Sequence, residues 1–163
     1  MRKLLLTTLI TTMLIFAVYA VNIAPGGTVT ENFTIGTSAT ATLPTDWKAD
    51  KDSSVRTVGS YSSAVTATEQ MAGNSMIINA SNGIYNYAAG DPTTATDRAV
   101  GGISSKSASK SVNLYVKLTN NGLSTIPNFT ISYNVEKYRN GSNAAGFSIQ
   151  MYYSTNGTSW TIS

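Results

Sequence analysis

The sequence predicts an all-β chain folded as an antiparallel β-sandwich, and three observations carry that prediction. Between Ser111 and Trp160, three stretches alternate apolar and polar residues with the period of two that places successive strand side chains on opposite faces. Asn-Gly dipeptides, suited to tight turns because both residues accept positive φ, fall at positions 82, 121, 140 and 156. From residue 21 onward no apolar pattern of helical period is sustained.

The chain opens with MRKLLLTTLITTMLIFAVYA, which has the three parts of a secretory signal. Arg2 and Lys3 form the positive end, Leu4 to Ala17 the apolar stretch, and Val18-Tyr19-Ala20 the small-residue cleavage site. A helical signal peptide over 1–20, cleaved after Ala20 by a Sec-type route, therefore implies a secreted, extracellular product. An uncleaved anchor is the alternative, but the apolar run is shorter than the roughly 20 residues that span a bilayer. Loss of the leader lowers the formal charge from +3 to +1, which leaves no field to attract nucleic acid or an anionic membrane. The chain has no cysteine, so no disulfide framework substitutes for a core. The 143 residues from 21 to 163 suffice for a single β-sandwich domain.

Taken in order, VNIAPGGTVT is an entry segment and ENFTIG a first short strand. LPTDWKAD closes a loop and begins the next strand, with Trp47 placed to cover one end of the core. SVRTVG is a candidate strand, SSAVTATEQMA a strand or one short helix, and SNGIYNYAAG a turn followed by a strand. GDPTTATDRAVGGISS is turn-rich around DRAV and is expected to cross between the sheets. VNLYVKL, FTISYNVEKY and FSIQMYY then form a meander, with Val112, Phe129, Ile131 and Phe147 directed at the core. The cleanest turn is Asn156-Gly157, between MYYS and SWTIS.

The phrases TENFTIG, LPTDW, GIYNYAAG, TDRAVGG, LTNNG, ISYNVEKYRNG and YYSTNGTSW, in that order, resemble a jelly-roll-like extracellular domain. That domain occurs near the N-terminus of large secreted bacterial multidomain proteins, ahead of lamin-tail, nuclease, adhesin or cell-surface sorting modules. The resemblance implies a jelly-roll sandwich in a bacterial exported protein and supplies no catalytic residue. The family pattern continues beyond the strand ending at Ser163, so the resemblance implies C-terminal strands missing from the sandwich.

The absence of histidine and cysteine removes the usual nucleophile–base pairs and the commonest zinc ligands. A hydrolase would have to work with two of eight carboxylates, Glu31, Asp46, Asp50, Asp52, Glu69, Asp91, Asp97 and Glu136, set across a cleft. No cofactor is expected beyond a structural calcium ion, for which Asp46, Asp50 and Asp52 are the candidate ligands; solvated loop charges are the plainer reading, since the spacing is irregular. Asp97 with Arg98 and Glu136 with Arg139 read either as structural ion pairs or as grips for an anionic sugar. Sequons at Asn32, Asn79, Asn128, Asn140 and Asn156 are compositional in a bacterial protein.

The strongest candidate surface is the outer face of the meander: Tyr115, Lys117, Asn134, Glu136, Tyr138, Gln150 and Tyr152. Aromatic rings beside amides and charges suit a carbohydrate, whose C–H faces pack on rings while its hydroxyls bond to polar groups. The expected function is thus a non-catalytic binding module for extracellular glycan or a downstream domain of the same polypeptide. A purely structural N-terminal domain of a secreted nuclease or adhesin is the alternative. In that case the tyrosine face would be covered or irregular.

Overall fold

A computed structural model describes residues 21–74, 82–104, 109–138 and 147–163. The expected leader, the sequons at Asn79 and Asn140, and Arg139 lie outside them. The described chain is all β, and no helix in it is long and apolar enough to cross a membrane.

Among the described residues, nine strands form several small sheets. β1 (Val21–Ile23) runs parallel to β7 (Leu118–Asn120). β2 (Trp47–Asp52) is antiparallel to β6 (Ser111–Val116), with Ala49 opposite Leu114 and Asp50 opposite Asn113. The largest sheet has the order β3 (Gln70–Gly73), β4 (Gly83–Ala88), β5 (Arg98–Ile103). Its β3–β4 pair is parallel and its β4–β5 pair antiparallel. β8 (Tyr152–Tyr153) and β9 (Thr161–Ile162) close an antiparallel hairpin around Gly157. The pairing is mixed, then, where the sequence predicts a purely antiparallel arrangement.

The core forms where strand alternation lets one face of each sheet meet the other. Ile84 and Val100 from the three-stranded sheet join Trp47, Ala49 and Val112 from β2–β6, with Leu43 and Ile35 closing the cluster. Gly102 permits this approach, since a Cβ there would collide with the Val112 side chain. The opposite face of the three-stranded sheet carries Ala72, Tyr85 and Tyr87, packed with Ala99, Ile103 and Tyr138. Tyr85, Tyr87 and Tyr138 stack in series, with ring centroids 5.2 and 4.8 Å apart.

Several expected elements differ. ENFTIG is irregular rather than a strand: Phe33 takes a φ of 52° and packs its ring edge-on against Trp47 at 4.9 Å. SVRTVG is a loop, and SSAVTATEQMA contributes bridges at Val65 and Ala67 and then β3, without a helix. GDPTTATDRAVGGISS does not cross between sheets; it turns within one, as the β4–β5 connection. Of the three meander stretches only VNLYVKL enters a ladder along its length. The described parts of FTISYNVEKY and FSIQ form no strand, and Phe129, Ile131 and Phe147 are exposed rather than in the core, Phe129 at 58% and Ile131 at 47%. The alternation is real, but among the described residues these stretches pair with no strand.

Candidate functional site

The polar face of β6 presents Ser111, Asn113 and Tyr115 at alternate positions. Its surroundings are different from those expected. Residues 54–61 fold across this face and take up each side chain in turn. The Ser111 hydroxyl donates to the Ser54 carbonyl at 2.8 Å and accepts from the Thr57 amide at 3.1 Å. The Asn113 amide donates to the Thr57 carbonyl at 2.8 Å and to Asp50 Oδ1 at 2.6 Å. The Tyr115 hydroxyl donates to Asp50 Oδ2 at 2.7 Å and accepts from the Gly59 amide at 2.9 Å. Both oxygens of the half-buried Asp50 are thus engaged.

Tyr115 is consequently 4% exposed and unavailable as a sugar platform. Burial, followed by its bond to Asp50, pushes its hydroxyl well above the usual phenol range. The C-terminal hairpin seals the arrangement. Trp160 Nε1 donates to the Gly59 carbonyl at 2.7 Å and its ring lies 5.2 Å from that of Tyr115. The Tyr61 amide bonds the Gly157 carbonyl at 2.9 Å, and Lys48 Nζ sits 4.8 Å from the Tyr61 ring centroid.

The other predicted site residues lie apart. Lys117 is exposed, and its amide donates to the Asp46 carbonyl. Tyr138 stacks on Tyr87, and its hydroxyl donates to Glu136. Burial and then that carboxylate push Tyr138 upward as well. Asn134 and Glu136 lie on the exposed segment that forms no ladder. Gln150 is exposed beside Tyr152, which lines an open cleft of about 560 Å³ with Phe129, Thr130, Ile131, Met151 and Tyr153. The seven residues therefore do not share one face.

Nor do the three candidate calcium ligands converge. Asp50 is spent on Tyr115 and Asn113, and Asp52 Oδ1 accepts from the Ser54 amide at 2.6 Å. Asp46 sits at a φ of 63°, with its Oδ2 buried and without a hydrogen-bond partner. Among the described residues no group of three metal-ligating side chains occurs.

Further carboxylates serve local roles. Glu69 accepts from Lys51 at 2.7 Å and from the Ile84 amide at 3.1 Å. Asp91 accepts from the amide and hydroxyl of Thr93, which hold it below the usual carboxylate range. Arg98 is 4% exposed and donates through Nη2 to the Pro92 carbonyl, so it braces the β4–β5 connection.

Gly59, Tyr61 and Trp160 are not among the residues that the sequence singles out as a site, although a local signal for them exists. An acid at the centre of a strand, opposite an Asn-x-Tyr pattern, is a buried polar network in waiting once a loop rich in small residues precedes the next strand. The chain matches no protein-family model, no curated protein and no solved structure.

Proposed function

We propose that this chain is a non-catalytic structural module, a sandwich of jelly-roll type from an exported bacterial protein, that works by packing against a neighbouring β-rich module. The observation that supports this reading is the segment 126–138 with 147–150, which carries the strongest strand pattern in the sequence and joins no described ladder. Phe129, Ile131, Tyr133, Val135, Phe147 and Ile149 are all exposed along it. A segment with strand alternation and an exposed apolar row, joined to no described ladder, is a template for another strand. Covering of Tyr115 and Tyr138 points the same way, because a glycan platform needs those rings open.

Without its natural neighbour, such an edge pairs with a second copy. Amide hydrogen exchange across 126–138 is expected to slow as the concentration of the leaderless chain rises, and Ile131→Lys to abolish that slowing. Exchange that does not change with concentration would sink the proposal.

One observation favours glycan binding as a second reading. The cleft beside Gln150 is open and lined by Phe129, Tyr152 and Tyr153, a set of rings of the kind that packs on sugar C–H faces. A polysaccharide array separates the two: binding that disappears in Tyr152→Ala and Tyr153→Ala supports a carbohydrate ligand, and no binding leaves the module contact alone.

A further inference from the structure

Four Asn-Gly pairs punctuate the sequence, and in an unfolded chain each is chemically labile. The glycine amide nitrogen attacks the asparagine side-chain carbonyl carbon and gives up its proton. The bond to the side-chain nitrogen breaks, ammonia leaves, and a cyclic imide forms. Water then opens the ring at either carbonyl, giving aspartate or isoaspartate. Glycine favours this reaction because no Cβ hinders the attacking nitrogen. Folding suppresses it where the asparagine side chain is held, or where the pair is fixed in a buried ladder, because the nitrogen then cannot swing onto the side-chain carbon.

The three described pairs are held very differently. At Asn82-Gly83, Gly83 is buried and pairs with Ile103 in the β4–β5 ladder, while the Asn82 main-chain carbonyl accepts from Gln70 Nε2 at 3.2 Å, which fixes the backbone on both sides of the pair. At Asn156-Gly157, Asn156 Oδ1 accepts from the amides of Thr158 and Ser159, each at 2.9 Å, and from the Ser154 and Thr158 hydroxyls. The Gly157 amide donates to Ser154 Oγ at 2.9 Å. At Asn121-Gly122, by contrast, Asn121 is exposed and its side chain makes no hydrogen bond to a described residue. The Gly122 amide donates to Oδ1 of the exposed Asn120 at 3.0 Å, and Asn120 Nδ2 donates to the Ser124 carbonyl at 2.9 Å, so the turn is tied by a neighbouring side chain while the Asn121 side chain itself stays exposed.

We infer that Asn121 is a site of spontaneous deamidation and isoaspartate formation, and that its conversion loosens the N-terminal strand. The coupling follows from position. The Asn121 amide donates to the Ile23 carbonyl at 3.2 Å, just past the β1–β7 ladder, and Gly122 lies so close to the Pro25 ring that a Cβ would not fit. Isoaspartate adds one methylene to the main chain between these two points. Both contacts cannot then be kept in register.

The test uses the leaderless chain, incubated at mildly alkaline pH both folded and in urea, with peptide mapping and isoaspartyl methyltransferase labelling. In urea the Asn-Gly pairs should convert at comparable rates. In the folded chain Asn82 and Asn156 should slow by about tenfold or more, while Asn121 keeps a rate near its unfolded one. Equal protection of Asn121, or equal reactivity of Asn82 or Asn156, overturns the assignment. The converted fraction, separated by charge, should show faster amide exchange at Val21–Ile23; unchanged exchange there overturns the coupling to β1.

Discussion

Asp50 accepts from two side chains of the strand paired with its own, and every hydrogen-bonding group around it is matched. Both of its oxygens must accept, so Asp50→Asn turns an amide toward a donor. It should cost about 1 kcal/mol in denaturant-measured stability, the low end for an unpaired group because Asp50 is only half-buried. Tyr115→Phe should cost ~1–3 kcal/mol, because Asp50 Oδ2 and the Gly59 amide both lose their partner. The same tyrosine sets an alkaline limit. Its hydroxyl titrates above the ordinary 10.0, so the stability it contributes is complete below that pH. Above it the unfolded phenol releases a proton that the folded one retains, and stability falls by up to about 1.4 kcal/mol per pH unit for this one group. A pH series of urea melts should show that fall in the parent chain and a shallower one in Tyr115→Phe. Asp46 is the opposite case, with a buried oxygen lacking a partner at a positive φ. Asn tolerates that backbone and carries no charge, so Asp46→Asn should raise stability by about 1 kcal/mol.

At the scale of elements, loop 54–61 is the piece that joins β6 to the C-terminal hairpin. Gly59 lets it approach, since a Cβ there would overlap Asp50 Oδ2. Trp160→Phe keeps a ring against Tyr115 but removes the bond to the Gly59 carbonyl. It should cost about 1 kcal/mol and speed amide exchange in residues 57–61 without altering β3–β5. Gly102→Ala should cost about 1–3 kcal/mol, because the new methyl meets the branched Val112 Cβ between the sheets. Val112→Ala in the same chain should recover part of that loss, a coupling that a double-mutant cycle measures directly. Element identity was readable where local pattern and partner agree, as in VNLYVKL and GIYNYA. It was not readable in FTISYNV, whose alternation is as regular but which finds no described strand to pair with.

For the whole molecule, composition and the period-two pattern were enough to establish an all-β chain, and the Asn156-Gly157 pair was enough to place its last hairpin. These properties are local: a strand's alternation and a turn's φ preference are written within a few residues. Which pairs are parallel, which polar face lies under a loop and which apolar row stays open depend on contacts between residues far apart in the chain. Tyr115 and Gly59 are 56 positions apart, and Trp160 and Gly59 are 101. The stripe Ser111, Asn113, Tyr115 reads identically whether water or a loop covers it, because hydrogen-bonding side chains serve both surroundings. Only the tertiary structure, by laying 54–61 across that stripe, turned a predicted binding face into a hydrogen-bonded, covered network and left the segment from 126 to 138 exposed and outside every described ladder.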